Sequence, residues 1–162
     1  MGHNIKLEEY KMVVRDILNN HLTASLSTMN DMAPHSNTIY YCYDDNFDIY
    51  FASDYSTEHA INIDHNKKVA MSIWNEPKQY GLDHQGLQIE GICTSLSGFA
   101  LIKAWDLYIK RFPIFKLKIG DVKNIVEKIV NMRLYKVSVS RIQITNAKRY
   151  GSEIITISND KE

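Results

Sequence analysis

The run from Phe47 to Trp74 limits the possible folds most sharply, because strand patterning there is interrupted once by helix patterning. Phe47-Asp48-Ile49-Tyr50-Phe51-Ala52-Ser53 alternates apolar and polar residues and is rich in aromatic and β-branched types, which predicts a strand packed on one face. Lys67-Lys68-Val69-Ala70-Met71-Ser72-Ile73-Trp74 predicts a second strand. Between them, Ser56 or Thr57 stands where it can cap a short helix whose Ala60, Ile61 and Ile63 turn inward and whose Asn62 stays outside. Hydroxyls and unpaired backbone N–H groups at a helix start suit a phosphate or another anion, although an ordinary capped helix leaves the same trace.

Upstream, Tyr10, Val13, Val14, Ile17 and Leu18 recur at helical spacing, so Leu7 to Leu18 reads as an amphipathic helix with Asn4 as a possible cap. Alternation over His21 to Met29 and over Pro34 to Tyr43, with Asn30-Asp31 between them, predicts a hairpin. Asp44-Asp45-Asn46 then turns the chain into the Phe47 strand, completing a three-stranded antiparallel meander. Beyond Trp74, a polar loop from Asn75 to Gln85 leads to a long strand from Gly86 to Leu96, broken at Gly98. A helix is expected from Phe99 to Phe112, ended by Pro113, and another from Asp121 to about Met132. Strands at Leu134 to Ile144 and Ile154 to Ile157 complete the pattern.

The chain has 162 residues, 44% of them hydrophobic and 23% charged, enough for one domain over 1–162 with a full core. No apolar run approaches the roughly 20 residues that cross a bilayer. Cys42 and Cys93 lie in predicted strands without metal-ligand spacing, so reduced thiols and a cytoplasmic setting are expected. The zero net charge hides an asymmetry. Residues 1–100 carry six Lys or Arg against 13 Asp or Glu, whereas residues 101–150 carry 12 against three. The basic residues are scattered through apolar periodic segments and form no run, which favours complementarity within the fold or across a dimer over a nucleic-acid surface.

Several local motifs point further. Pro34-His35-Ser36-Asn37-Thr38-Ile39-Tyr40, Ile49 to His59, Asn62 to Ala70, Gln85-Gly86-Leu87-Gln88-Ile89-Glu90-Gly91 and Arg111-Phe112-Pro113 together resemble the pyridoxamine-phosphate-oxidase-like flavoproteins, the FMN-binding split barrels. The likeness is nearest to a small branch with a Gly-Val-Gln-type central strand and Arg-Phe-Pro, set apart from the true pyridoxamine-phosphate oxidases. The resemblance implies a mainly β fold, a split β-barrel of six to seven mostly antiparallel strands with flanking helices, assembled as a homodimer with FMN in the grooves between subunits. It places the flavin phosphate at Ser53, Ser56, Thr57 and His59, and the ring near Asn37, Thr38 and Ile39 with Gln88 reaching from the central strand. The family commonly has Lys or Arg in the phosphate turn, where this chain has Glu58 and His59. Lys67 or Lys68, or a basic residue from the second subunit, would then supply the missing charge.

Other chemistries find less support. The six histidines show no paired spacing on one helix face and no neighbouring Cys pair, so no metal is expected. There is no Gly-x-Ser-x-Gly elbow, no Walker loop and no Gly-x-Gly-x-x-Gly. The resemblance implies an oxidoreductase passing electrons between a reduced nicotinamide and a small acceptor through FMN, with no nucleic-acid or membrane partner. The alternative is a non-enzymatic binding or stress-related module that keeps the barrel and has lost or changed its ligand.

Overall fold

The computed structural model describes residues 2–80, 82–113 and 131–158. Its strands are β1 (Thr23–Met29), β2 (Pro34–Tyr43), β3 (Ile49–Asp54), β4 (Lys68–Trp74), β5 (Gln85–Ser95), β6 (Met132–Asn146) and β7 (Ile154–Ser158). They form one sheet in the order β3-β2-β1-β4-β5-β6-β7, and a further pairing of β3 with β6 closes the first six into an antiparallel barrel. The helices are α1 (Gly2–Asn20), α2 (Glu58–His65), α3 (Gly98–Arg111) and the short α4 (Ala147–Tyr150). The expected mainly β barrel with flanking helices is therefore present, whereas the helix expected from Asp121 lies outside the described residues.

Strict alternation explains why each strand has an inner and an outer face. On β1, Ala24 and Leu26 enter the core while Ser25 and Ser27 face out; on β4, Val69, Met71 and Ile73 enter it. Helix α1 lays Val13, Val14, Ile17 and Leu18 against the same core. It begins at Gly2, so Asn4 lies inside the helix and not at its cap. Its C-terminal carbonyls are held from a distance: Arg111 donates to Leu18 O at 2.7 Å and to Asn19 O at 3.2 Å. Those carbonyls have no intrahelical partner, so the Arg of Arg-Phe-Pro fastens one helix end to another.

Strand β6 gives one edge to two partners. Met132–Val137 runs beside β3, and Arg141–Thr145 runs beside β7. Asp48 sits at the changeover: its carboxylate accepts the Val139 backbone N–H at 3.0 Å and pairs with Lys136 Nζ at 2.7 Å. On the opposite edge, the register with β5 shifts between Glu90 and Gly91, where a Cβ would collide with the Ser138 carbonyl. Only glycine lets the backbones approach this closely.

The barrel opens between β2 and β3. The two pair only where Tyr41–Tyr43 meets Ile49–Phe51. Beyond that point β2 stays with β1, β3 stays with β6, and among the described residues no strand lies beside the β3-facing edge of Pro34–Tyr40. Helix α2 flanks this opening on one side, through His35 and Glu58 at 3.3 Å, and the end of α3 on the other, through the rings of Tyr40 and Phe112 at 5.8 Å.

Candidate functional site

The turn from Asp54 to Thr57 is built by its own polar groups. Asp54 Oδ1 accepts the Ser56 backbone N–H at 2.8 Å and its hydroxyl at 2.7 Å, and this holds the carboxyl below its usual range. Thr57 is the N-cap residue of α2, yet its side chain makes no capping bond. It donates instead to Asp54 O at 2.8 Å, so the first N–H groups of α2 receive no help from the residue placed to supply it. Inside the turn, Ser53 Oγ lies 2.6 Å from His59 Nε2 and 3.1 Å from Thr57 Oγ1, and Thr57 Oγ1 lies 3.2 Å from the same nitrogen. Burial lowers the imidazole pKa from 6.5, and His35 nearby adds to the effect. Near neutral pH the cluster is thus two hydroxyls around an uncharged ring.

The predicted site residues fall into separate groups. Ser53, Thr57 and His59 come together as described, while Ser56 is exposed on the outside of the turn. Asn37, Thr38 and Ile39 lie on the stretch of β2 that pairs with β1 but not with β3, with the Ile39 side chain in the core, so only its backbone faces the opening. The buried Asn37 Oδ1 has no hydrogen-bond partner among the described residues. Gln88 is exposed on β5, in one row with Ser72 of β4, Ser25 of β1 and Thr38 of β2. Three strand spacings separate Thr38 from Gln88, about 14 Å. Lys68 opens β4 beyond the far end of α2, which rises about 12 Å over its eight residues, so its own turn does not receive its charge.

Helix α2 differs from expectation in one respect. Ile61 is 48% exposed, while Asn62 is 3% exposed and donates to Thr28 Oγ1 at 3.1 Å. His59, Ala60, Asn62 and Ile63 form the inward face, a helical spacing that necessarily turns Ile61 outward. A buried amide is tolerated here because it finds a hydroxyl.

One cation beside the turn was not legible in the sequence. Arg133 of β6 is the register partner of Ser53, and it is half exposed. Its guanidinium lies over the Tyr55 ring at 5.2 Å and 3.7 Å from Asp64. The Tyr55 N–H donates to Asn131 O at 3.1 Å, which ties the turn to the start of that strand. Nothing local marks Arg133, because its place depends on a pairing between distant segments.

Other reactive groups lie elsewhere. Burial pushes the thiols of Cys42 and Cys93 up to about 12, which leaves them un-ionised and poorly nucleophilic at neutral pH. Among the described residues, no group of three or more His, Cys, Asp and Glu side chains is placed to hold a metal ion, and no helix is long and apolar enough to cross a membrane.

Residues 11–145 match the pyridoxamine 5'-phosphate oxidase family, the greater part of the chain. The chain belongs to that family. No curated protein matches it by sequence. Among solved structures, it is similar to a heme-binding protein from Mycobacterium smegmatis, with TM-score 0.71 and 15% identity over 91% of this chain and 57% of that one. It is also similar to a protein of unknown function from Agrobacterium tumefaciens, with TM-score 0.68 and 22% identity over 85% of this chain and 56% of that one. A third is a protein from Listeria innocua described as a putative pyridoxamine 5'-phosphate oxidase, with TM-score 0.61 and 16% identity over 85% and 98%. At these identities the likeness shows the shared fold, and the chain spans little more than half of the first two.

Whether the residues present fit a flavin phosphate can be judged from the turn itself. Two converging hydroxyls, an imidazole, a helix start without a side-chain cap and Arg133 alongside make a donor set that suits a phosphate. Glu58 opposes it, although its carboxylate is turned to His35 at 3.3 Å.

Proposed function

We propose that this protein binds FMN, as a homodimer, and passes electrons between a reduced nicotinamide and a small acceptor. The observation that carries the reading is the convergence of Ser53, Thr57 and His59 at the uncapped start of α2, next to the unpaired edge of β2. Ser53, Thr57 and His59 would hold the phosphate, with Ser56 at the rim, while the backbone of Asn37, Thr38 and Ile39 offers amides to the ring. Gln88, about 14 Å from Thr38 across the sheet, would reach the far end of that ring or the ring held by the second subunit. Bound flavin supplies the hydride and electron chemistry; the protein orients it and keeps water away. Lys68 would act across the dimer, since it stands away from its own turn.

The competing reading is a split barrel that holds a different planar ligand or none. It draws on the acidic Glu58, on a turn whose side chains already satisfy one another, and on the heme-binding M. smegmatis protein of similar fold. Absorbance decides between the two. Purified protein that takes up FMN at micromolar concentration and shows a flavin band supports the first reading. Protein that ignores FMN, or that gains a Soret band with hemin, supports the second. Thr57→Glu puts a carboxylate among the phosphate donors and is expected to abolish FMN binding while leaving the fold intact by circular dichroism. An unchanged titration would remove the turn from the site.

A further inference from the structure

We infer that Arg133 is the positive charge of the phosphate turn, held ready by Asp64 and Tyr55 and released to an anionic ligand. This deepens the reading above and rests on it for the identity of the ligand, but not for the role of the arginine.

A phosphate dianion at the start of α2 needs more than neutral donors, and carboxylates surround it: Asp54 in the turn, Glu58 at the first residue of α2 and Asp64 near its last. Each of these is already engaged. Asp54 is taken up by the Ser56 N–H and hydroxyl, Glu58 by His35, and Asp64 by Arg133. The three attachments differ in strength. The Asp54 bonds are 2.8 and 2.7 Å, whereas the Asp64 to Arg133 separation is 3.7 Å between groups that are both about half exposed. A long, half-exposed pair of that kind is weak, so it yields to a stronger anion.

Arg133 also stands where it can make the exchange. As the register partner of Ser53 on an antiparallel pair, it projects from the same face of the sheet, with Cβ atoms about 5 Å apart. The Tyr55 ring beneath the guanidinium restricts where it can swing, and the bond from Tyr55 N–H to Asn131 O ties the Tyr55 backbone to the residue just ahead of the strand bearing the arginine. A guanidinium offers two parallel N–H donors to a phosphate, which a lysine cannot reproduce. The basic residue that the turn lacks in sequence is therefore replaced from the barrel seam.

The test is a set of titrations on the full chain with four probes: FMN, riboflavin, hemin and inorganic phosphate at millimolar concentration. Arg133→Gln is expected to weaken FMN and inorganic phosphate about ten- to hundredfold, the loss of a charge-assisted bond, and to leave riboflavin unchanged. Arg133→Lys is expected to recover part of the loss, and Asp64→Asn to tighten FMN by about two- to fivefold. Thermal melts of each variant separate lost binding from lost folding, and the half-exposed position of Arg133 predicts little change in Tm. FMN binding to Arg133→Gln equal to that of the wild type overturns the inference and leaves the flavin reading standing. Arg133-dependent binding of inorganic phosphate without flavin uptake upholds the inference and ends the flavin reading. A wild-type chain that binds neither FMN nor phosphate ends both, and hemin binding unaffected by Arg133→Gln counts against the arginine in the same way.

Discussion

Two polar clusters flank strand β3, and they are built on opposite terms. At its beginning, Asp48 is almost wholly buried and holds both Lys136 Nζ and the Val139 N–H, each bond joining β6 to the chain ahead of β3. At its end, Ser53, Thr57 and His59 satisfy one another through hydroxyls and an imidazole whose donor and acceptor roles can be exchanged. The first cluster is built around a buried carboxylate paired with a lysine. The second consists of neutral groups that can trade each other for an incoming oxyanion. The contrast separates a fastening from a site without reference to any ligand, because a buried charge deprived of its partner is costly while a hydroxyl is easily re-paired.

Removing the fastening should have the largest effect. Asp48→Ala leaves Lys136 and the Val139 N–H without their acceptor, and urea unfolding should show a loss of about 3 kcal/mol or more. A loss below about 1 kcal/mol would place the two clusters in the same class. A smaller effect is expected where α2 meets the barrel: Asn62→Ala removes the buried bond to Thr28 and should cost about 1–2 kcal/mol in the same assay. A matching loss in Ile61→Ala would show that the inward face of α2 has been misplaced.

The smallest effect is on pH dependence. The folded pKa of His59 lies below 6.5, so the unfolded chain takes up a proton first as the pH falls. The contribution of this residue to stability is unaffected above pH 6.5 and declines as the pH drops from there through the folded value. His59→Gln should flatten that part of a Tm-against-pH curve between about pH 7 and 5. FMN should show the opposite slope, binding more tightly as the pH falls, because a phosphate favours the protonated ring. Equal slopes in wild type and variant would take His59 out of the turn's chemistry.

Most strands were legible in the sequence because a two-residue period is local: β1, β2 and β4 fall where alternation places them. The closure of β3 on β6 was not legible, since alternation says which face a residue takes but not which strand stands beside it. Arg133 escaped for that reason, as did the double use of β6. The error at Asn62 has another cause. In a helix of eight residues the apolar positions are too few to set its phase, and a buried amide bound to Thr28 looks in sequence like a solvent-facing one. Helix α4 also went unread, because its cap, the Asn146 side chain accepting the Arg149 N–H at 3.1 Å, belongs to the end of a strand.

The shared edge of β6 also governs how the protein can be made. A nascent chain that has emerged only as far as Arg111 already contains five strands, yet the free sides of β3 and β5 remain raw, because the strand that joins them has not been synthesised. Such edges invite pairing with neighbouring chains. Ribosomal delivery of the last third is thus the step at which β3 and β5 gain their common neighbour, and slowing translation there should raise aggregation more than slowing it anywhere earlier.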